Sequence, residues 1–103
     1  MEVKVCNMTS DRSYRPVANQ FVITKYDNRG YTSKKFFQSY DSLIVLVDYT
    51  KKGRQIYLDK YYWDYSRTTG KYRNQFLGED IKTTRKKIKS GEYRLADLNN
   101  TYN

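Results

Sequence analysis

Hydrophobic and polar residues alternate along much of the first sixty positions, with the period of two that is typical of a half-buried β-strand. Residues 17–26 alternate in this way and end at residues 27–30, an Asp-Asn-Arg-Gly sequence that favours a hairpin turn because Asn and Gly tolerate positive φ. Residues 31–39 would then return antiparallel, and residues 54–59 alternate again after a second turn at residues 51–53. The pattern predicts an antiparallel meander.

The same alternation predicts which side chains share a face of the sheet. In the strand at 17–26, one face would carry Val17, Asn19, Phe21 and Ile23, and the other would carry Ala18, Gln20, Val22 and Thr24. Residues 43–47 are all apolar, which predicts a central strand covered on both sides, or a strand beside a helix layer. Short strands are also predicted at 3–8 and 92–98.

The pattern changes after residue 64, where Tyr65, Thr69, Tyr72 and Phe76 are spaced by four, three and four, as on one face of an α-helix. We predict helices at about 66–77 and 80–89, with Ser66 as the N-cap of the first and with Gly78 and Gly91 as their stops. The predicted fold class is α+β, an antiparallel β-meander of four to six strands with two helices. A single domain over residues 1–103 is expected, with 1–15 as a peripheral segment and 99–103 as a polar tail.

Groups that carry acid–base, nucleophilic or metal chemistry are scarce. The chain has no His and one Cys, Cys6, so most hydrolase mechanisms and imidazole or thiolate metal sites are excluded. Asp59 with Asp64, and Glu79 with Asp80, are expected to be solvated or capping carboxylates rather than reactive pairs. We expect a protein that is not an enzyme and that uses no cofactor and no metal.

Cysteine usage and the apolar runs indicate the compartment. A single cysteine cannot form an intramolecular disulfide, and it fits reducing surroundings. The first eleven residues lack the apolar core of a signal peptide, and the longest apolar run, residues 43–47, is too short to cross a bilayer. We therefore expect a cytoplasmic protein without membrane association.

The charge is strongly positive, since 20 Lys and Arg against 11 Asp and Glu give a net charge of +9. Such a field favours polyanionic partners, either nucleic acid or an acidic protein surface. The densest cluster lies on the second predicted helix, where four residues at i, i+3, i+4 and i+7 form one cationic face: Lys82, Arg85, Lys86 and Lys89. This face can follow a phosphate backbone, although an ordinary solvated helix face would have the same composition.

Aromatic and cationic residues are also interleaved between positions 60 and 73, a mixture that suits stacking of unpaired bases together with phosphate neutralisation. The candidate contact residues in this segment are Lys60, Tyr61, Tyr62, Arg67, Lys71 and Arg73. The same residue types dominate protein-binding hot spots. The alternative is that Trp63 and part of the tyrosines, Tyr72 among them, belong to the core. Strand alternation predicts that one of Tyr61 and Tyr62 is exposed, and Trp63 is expected to be largely buried.

Two segments, FQSYDSLI at 37–44 and WDYSRTTGKY at 63–72, resemble small uncharacterised proteins encoded by bacteriophages and prophages. The similarity covers roughly residues 17–98 and brings no known activity with it. It implies a phage context, in which proteins of this size often bind and block host machinery. The leading expectation is a stoichiometric inhibitor of a host defence nuclease complex, of the anti-CRISPR kind, in the cytoplasm of the bacterial host. The alternative is a nucleic-acid-binding accessory protein of phage replication or gene expression, with DNA or RNA as its partner.

Overall fold

The computed structural model describes residues 2–102, which contain six strands and three helices. The elements are β1 (Val3–Thr9), β2 (Pro16–Tyr26), β3 (Thr32–Ser39), β4 (Ser42–Asp48), β5 (Gln55–Asp59), α1 (Arg67–Leu77), α2 (Ile81–Ser90), β6 (Tyr93–Ala96) and α3 (Leu98–Tyr102). This arrangement confirms the predicted α+β class. Among the described residues, no helix is long and apolar enough to span a membrane.

All six strands form one sheet in which spatial order follows chain order, from β1 at one edge to β6 at the other. The first five strands pair antiparallel with their neighbours, as predicted for a meander. β6 pairs with β5 in parallel, with Ile56 opposite Tyr93 and Leu58 opposite Leu95. The parallel pairing follows from the connection, because α1 and α2 lie between these two strands and return the chain to the end of the sheet where β5 begins.

The predicted faces of β2 are wrong at the start of the strand. Val17 and Val22 pack against the same core, although strict alternation would place them on opposite faces. The break lies at Asn19, whose φ of +64° is in the left-handed region and interrupts the pleat. Ile23, which strict alternation places on the face of Val17, packs into a second core on the other side of the sheet.

β4 is buried on both faces, as its continuous apolar run predicts. Val45 and Val47 pack into the main core, between the sheet and the helices α1 and α2. Leu43 and Leu46 belong to the second core on the opposite face, which Leu98 of α3 closes. The sheet is therefore covered on one side by the two-helix crossover and, around β4, on the other side by α3.

Both long helices begin and end at the residues that their capping signals predict. The Ser66 hydroxyl accepts a hydrogen bond of 3.1 Å from the Thr69 N–H, and the Asp80 carboxylate caps α2 in the same way. Gly78 and Gly91 follow the two helices with φ of +71° and +86°, a conformation that glycine adopts at little cost. The predicted helix boundaries are correct to within one residue.

Both ends of the described chain are part of the fold. Within the predicted peripheral segment, residues 3–9 form the edge strand β1, whose side chains are exposed except for Met8. The predicted polar tail contains most of α3, in which the Asn99 side chain accepts from the Leu43 N–H at 2.7 Å and donates to the Leu43 carbonyl at 3.1 Å. The Tyr102 ring packs edge-on against Phe36 at 5.5 Å. The tail prediction therefore missed a short packed helix, and residue 103 lies outside the described residues.

Candidate functional site

The outer side of α2 carries the four cations that its spacing predicts. Lys82, Arg85, Lys86 and Lys89 are all exposed, while Thr84 on the opposite side is buried against the fold. Among residues 2–102, Arg85 alone of these four lies within ion-pair distance of a carboxylate. We call this set of four residues the cationic helix face. Three of its four charges are free to meet an external anion.

The fifth cation of the helix, Lys87, points inward and is neutralised there. Its ammonium donates to the Glu79 carboxylate at 2.9 Å, and this hydrogen bond raises the pKa of Lys87 above its ordinary value. Burial of Glu79 opposes its ionisation, but hydrogen bonds from Thr84, Lys87 and Tyr93 outweigh that effect and hold its pKa below the ordinary range. Burial and the bond to Glu79 raise the pKa of Tyr93 to about 12. The positive charge of α2 is thus divided between a solvent-facing side and a neutralised inner side.

Residues 60–65 connect β5 to α1 as a turn, which we call the tyrosine turn. Its three tyrosines are 64% (Tyr61), 39% (Tyr62) and 46% (Tyr65) exposed. Their rings form a chain of edge-to-face contacts, at 6.4 Å between Tyr61 and Tyr62 and 5.5 Å between Tyr62 and Tyr65. The Lys60 ammonium lies 5.0 Å from the centre of the Tyr61 ring. Because these residues lie in a turn and not in a strand, both Tyr61 and Tyr62 are exposed instead of one.

A buried carboxylate holds the tyrosine turn in place. Asp59 is fully buried, and its Oδ2 accepts from the backbone N–H groups of Tyr61 at 3.1 Å and Tyr62 at 2.9 Å. Its Oδ1 accepts from the Leu98 N–H at 2.9 Å, which ties the first residue of α3 to the same carboxylate. The predicted capping role of this acid is confirmed. The backbone that carries the exposed rings of Tyr61 and Tyr62 is therefore fixed by hydrogen bonds to Asp59.

Asp64 joins the tyrosine turn to the cationic helix face. Its carboxylate contacts the buried Arg73 at 3.1 Å and the exposed Arg85 at 3.4 Å. The first contact anchors the turn to α1, and the second anchors it to α2. The tyrosine turn thus adjoins the α2 cations at Arg85, and we call the exposed tyrosines together with the cationic helix face the basic aromatic surface.

Arg73 does not belong to that surface, although the sequence made it a candidate contact. The side chain is 1% exposed, and it donates to the Trp63 carbonyl at 2.7 Å, to Asp64 at 3.1 Å and to the Asn74 side chain at 2.9 Å. Its guanidinium also lies 5.4 Å from the Trp63 ring. Arg73 is buried because its guanidinium bonds to the carbonyl of Trp63 and the carboxylate of Asp64, ten and nine residues earlier in the chain. Arg73 is a structural residue.

The remaining candidates occupy α1. Arg67 and Lys71 are exposed and one turn apart, and the Lys71 ammonium lies 5.4 Å from the ring of the buried Tyr72. Within the described part of the chain, no ion pair or hydrogen bond links them to α2 or to the tyrosine turn. Trp63 is half-buried against the main core, so it is less enclosed than the sequence suggested, whereas Tyr72 is a core residue, as the alternative interpretation of the aromatic segment predicts.

The acidic residues have structural partners. The expectation of solvated or capping carboxylates is confirmed for Asp59 and Asp80, which accept from backbone N–H groups. It is wrong for Glu79, whose buried side chain pairs with Lys87, and the partly exposed Asp64 pairs with two arginines. In residues 2–102, no three His, Cys, Asp or Glu residues lie close enough together to hold a metal ion.

This chain is a small α+β domain in which a two-helix crossover presents one basic, tyrosine-rich surface. It belongs to a family of unknown function, DUF8033, whose model matches residues 3–92. The matched range contains both the tyrosine turn and the cationic helix face. No curated protein and no solved structure matches the chain significantly.

Proposed function

We propose that this protein acts by binding and not by catalysis, and that its contact surface is the basic aromatic surface. Single-stranded nucleic acid is the partner that this surface favours. The observation that carries the proposal is the contact of Arg85, one of the four cations on the outer side of α2, with Asp64 of the tyrosine turn, whose exposed rings follow the backbone that Asp59 fixes. Cations neutralise phosphates, and exposed rings stack on unpaired bases.

The dimensions of the cationic helix face suit a short length of strand. Lys82 and Lys89 are seven residues apart, which corresponds to about 10 Å along a helix. A stacked strand rises about 3.4 Å per nucleotide, so the face spans roughly three phosphates. Because Asp64 of the tyrosine turn contacts Arg85 of this face at 3.4 Å, we expect the bases of the same strand to reach Tyr61 and Tyr62.

The salt dependence of oligonucleotide binding tests the role of the cations. Replacing all four residues of the cationic helix face by Ala should weaken binding to any sequence, and it should lower the log–log salt slope by roughly 0.7 for each phosphate of a single strand that is no longer neutralised. A control variant with the same change in net charge replaces four exposed cations elsewhere: Lys4, Arg12, Arg29 and Lys52. The control should keep most of the affinity and the slope. If affinity and salt slope decreased equally in the two variants, binding would depend on net charge alone. That result would refute a defined contact face.

The role of the rings is tested with a fluorescent base analogue in the strand. Tyr61→Ala should weaken binding and reduce the quenching of the analogue, because stacking contributes about 1–3 kcal/mol per base. Tyr31→Ala removes an equally exposed ring on the distant β2–β3 turn and serves as the control. Unchanged quenching in Tyr61→Ala would place the bases elsewhere.

A second candidate function, stoichiometric inhibition of a host defence nuclease complex of the anti-CRISPR kind, has its own support. Tyrosine and arginine are typical hot-spot residues, and rings fixed in advance by Asp59 lose little conformational entropy on docking. The resemblance of residues 37–44 and 63–72 to phage-encoded proteins fits action in the cytoplasm of a bacterial host.

Competition with bulk DNA distinguishes the two candidates. An inhibitor should form a complex of fixed stoichiometry with a purified nuclease effector and should block it despite excess non-specific DNA at near-physiological salt. A general nucleic-acid-binding accessory protein should be titrated away by that DNA. Capture from host lysate with and without nuclease treatment gives an independent answer, since a protein partner survives the treatment and a nucleic-acid partner does not.

A further inference from the structure

A second feature of the molecule is a cleft of about 220 Å³ between the sheet and the α1–α2 connection. Its floor follows one row across the sheet, because Lys35 pairs with Val47, Val47 with Ile56, and Ile56 with Tyr93. Phe76 and Leu77, at the end of α1, form an apolar wall. The cleft therefore has an apolar strip at Val47, Ile56, Phe76 and Leu77 within a lining that is otherwise polar, and the inner side of α2 bounds it.

The mouth of the cleft is cationic. Arg54 and Tyr49 line it. They lie opposite each other, on the same face as the pair of Val47 and Ile56, if the β4–β5 register is continued by two residues. Lys35 lines it from β3, with its ammonium 6.0 Å from the centre of the Phe76 ring. Among residues 2–102, neither Arg54 nor Lys35 lies within ion-pair distance of a carboxylate.

Among residues 2–102, Glu79 is the one carboxylate that lines the cleft, and its hydrogen bonds are already made within the protein. Glu79 accepts hydrogen bonds from Thr84 at 2.6 Å, Lys87 at 2.9 Å and Tyr93 at 2.7 Å. Because Lys87 neutralises Glu79, the charges of Lys35 and Arg54 remain uncompensated within the cleft. An occupant should therefore carry a negative charge near the mouth and an apolar or aromatic part at the apolar strip.

We propose that this cleft binds one phosphorylated nucleoside, with the phosphate between Lys35 and Arg54 and the base against the apolar wall at Phe76 and Leu77. The cleft of about 220 Å³ is smaller than the roughly 300–1,000 Å³ of pockets that enclose drug-sized ligands, so it holds no more than one nucleotide and excludes a dinucleotide. Arginine matches the phosphate geometry with paired donors, and lysine adds a point charge. The cleft lies on the inner side of α2, away from the cationic helix face, so its occupancy does not depend on the function proposed above.

The test is a titration with a nucleoside 5′-monophosphate in phosphate-free buffer at near-physiological salt, followed by amide chemical shifts and by calorimetry. Shifts should concentrate at the cleft, and Arg54→Gln should weaken binding by about tenfold or more through loss of a charged hydrogen bond. Lys52→Gln, an exposed cation of the same β4–β5 turn that does not line the cleft, is the matched control and should bind like the unaltered protein. Lys35→Gln should weaken binding independently of Arg54.

Further ligands identify the source of the nucleotide. The unphosphorylated nucleoside and inorganic phosphate should each bind more weakly than the monophosphate. If Arg54→Gln also lowers the affinity for a short oligonucleotide, the cleft binds a nucleotide that is part of a strand. If the affinity for the oligonucleotide is unchanged, the cleft binds a free nucleotide. Absence of monophosphate binding at millimolar concentration, equal binding by Arg54→Gln, or binding no stronger than that of inorganic phosphate would overturn the proposal. The variant lacking the cationic helix face should still bind the monophosphate, so failure of the oligonucleotide experiment leaves this result interpretable.

Discussion

Replacing Arg73 by Ala removes a buried guanidinium that donates hydrogen bonds to three residues. In the native protein its Nη1 donates to the Trp63 carbonyl at 2.7 Å and to the Asp64 carboxylate at 3.1 Å, and its Nη2 donates to the Asn74 side chain at 2.9 Å. Together these bonds attach the tyrosine turn to α1. The variant should therefore lose stability and leave the external contact residues in place.

The expected loss in the free energy of unfolding can be worked out from the hydrogen bonds and ion pairs that each partner of Arg73 loses. The Trp63 carbonyl loses a charged donor, which costs about 1.5–3 kcal/mol. Asp64 loses less than the roughly 3–5 kcal/mol typical of a broken buried pair, because its side chain is 38% exposed and it keeps its contact with Arg85. The buried Nε of Arg73 has no hydrogen-bond partner among the described residues, so its removal returns part of the loss. We expect a decrease of about 3 kcal/mol, which lowers the melting temperature of a domain of this size by roughly 15 °C.

Urea unfolding followed by circular dichroism and by the fluorescence of Trp63, the one tryptophan, measures this loss. Arg85→Ala is the matched control, because it removes the other arginine partner of Asp64 from a side chain that is 62% exposed. A surface ion pair of this kind contributes about 0–1 kcal/mol. The Arg73→Met variant, which keeps most of the volume, should fall between the two.

Equal unfolding midpoints for Arg73→Ala and Arg85→Ala would refute the reasoning, since burial would then add nothing to the contribution of the ion pair. A second readout separates structure from function. Under conditions where Arg73→Ala is folded, it should bind oligonucleotides with nearly native affinity, whereas Arg85→Ala should bind them more weakly. A decrease of affinity in folded Arg73→Ala without a decrease of stability would return Arg73 to the contact surface.

Three further predictions concern other positions. Asp59→Asn leaves one of three backbone N–H groups without its acceptor and should lower the free energy of unfolding by about 2 kcal/mol in urea titrations; an unchanged midpoint would contradict the role of Asp59 in the tyrosine turn. Gly78→Ala forces a side chain into φ of +71° and should cost about 1 kcal/mol, although the new methyl group meets no neighbour; equal or higher stability would argue against strain there. Because the pKa of Glu79 is lowered in the fold, its stabilisation is complete above the unfolded pKa and is lost as pH falls through the folded pKa. Unfolding measured between about pH 5 and pH 3 should therefore depend less on pH in Glu79→Gln, and parallel pH profiles would exclude this contribution.

The elements that the sequence predicts correctly are those with local signals. Ser66, Gly78 and Gly91 determine helix ends through contacts within one turn, and the apolar run at 43–47 identifies a strand covered on both sides. The one element of residues 2–102 that the sequence does not predict, α3, depends on a distant contact. α3 consists largely of polar residues, and it is held by the pairing of Asn99 with Leu43, 56 positions away.

The candidate contact residues also divide into those with a local signal in the sequence and those that depend on distant contacts. The cationic helix face was predictable because helical geometry alone brings positions i, i+3, i+4 and i+7 together. The burial of Arg73 was not predictable, since its partners Trp63 and Asp64 are placed by the turn that Asp59 caps. The cleft was missed for a similar reason: Lys35, Arg54 and Lys87 come from three separate elements, and only the sheet register and the helix crossover bring them to one opening.

The division of charge on α2 decides how these surfaces can be separated experimentally. A net charge of +9 attracts any polyanion, so affinity at low salt measures the whole molecule and not one surface. Lys87 and Glu79 neutralise each other at 2.9 Å, which leaves the cationic helix face and the mouth of the cleft as two sources of charge on opposite sides of the helix. Changing Arg54 leaves the helix face as it is, and changing the helix face breaks one surface ion pair, that of Arg85 with Asp64. None of Lys82, Lys86 and Arg54 forms an ion pair among residues 2–102. Comparisons between variants of equal net charge therefore isolate geometry from charge: strand binding should follow the helix face, and mononucleotide binding should follow Arg54.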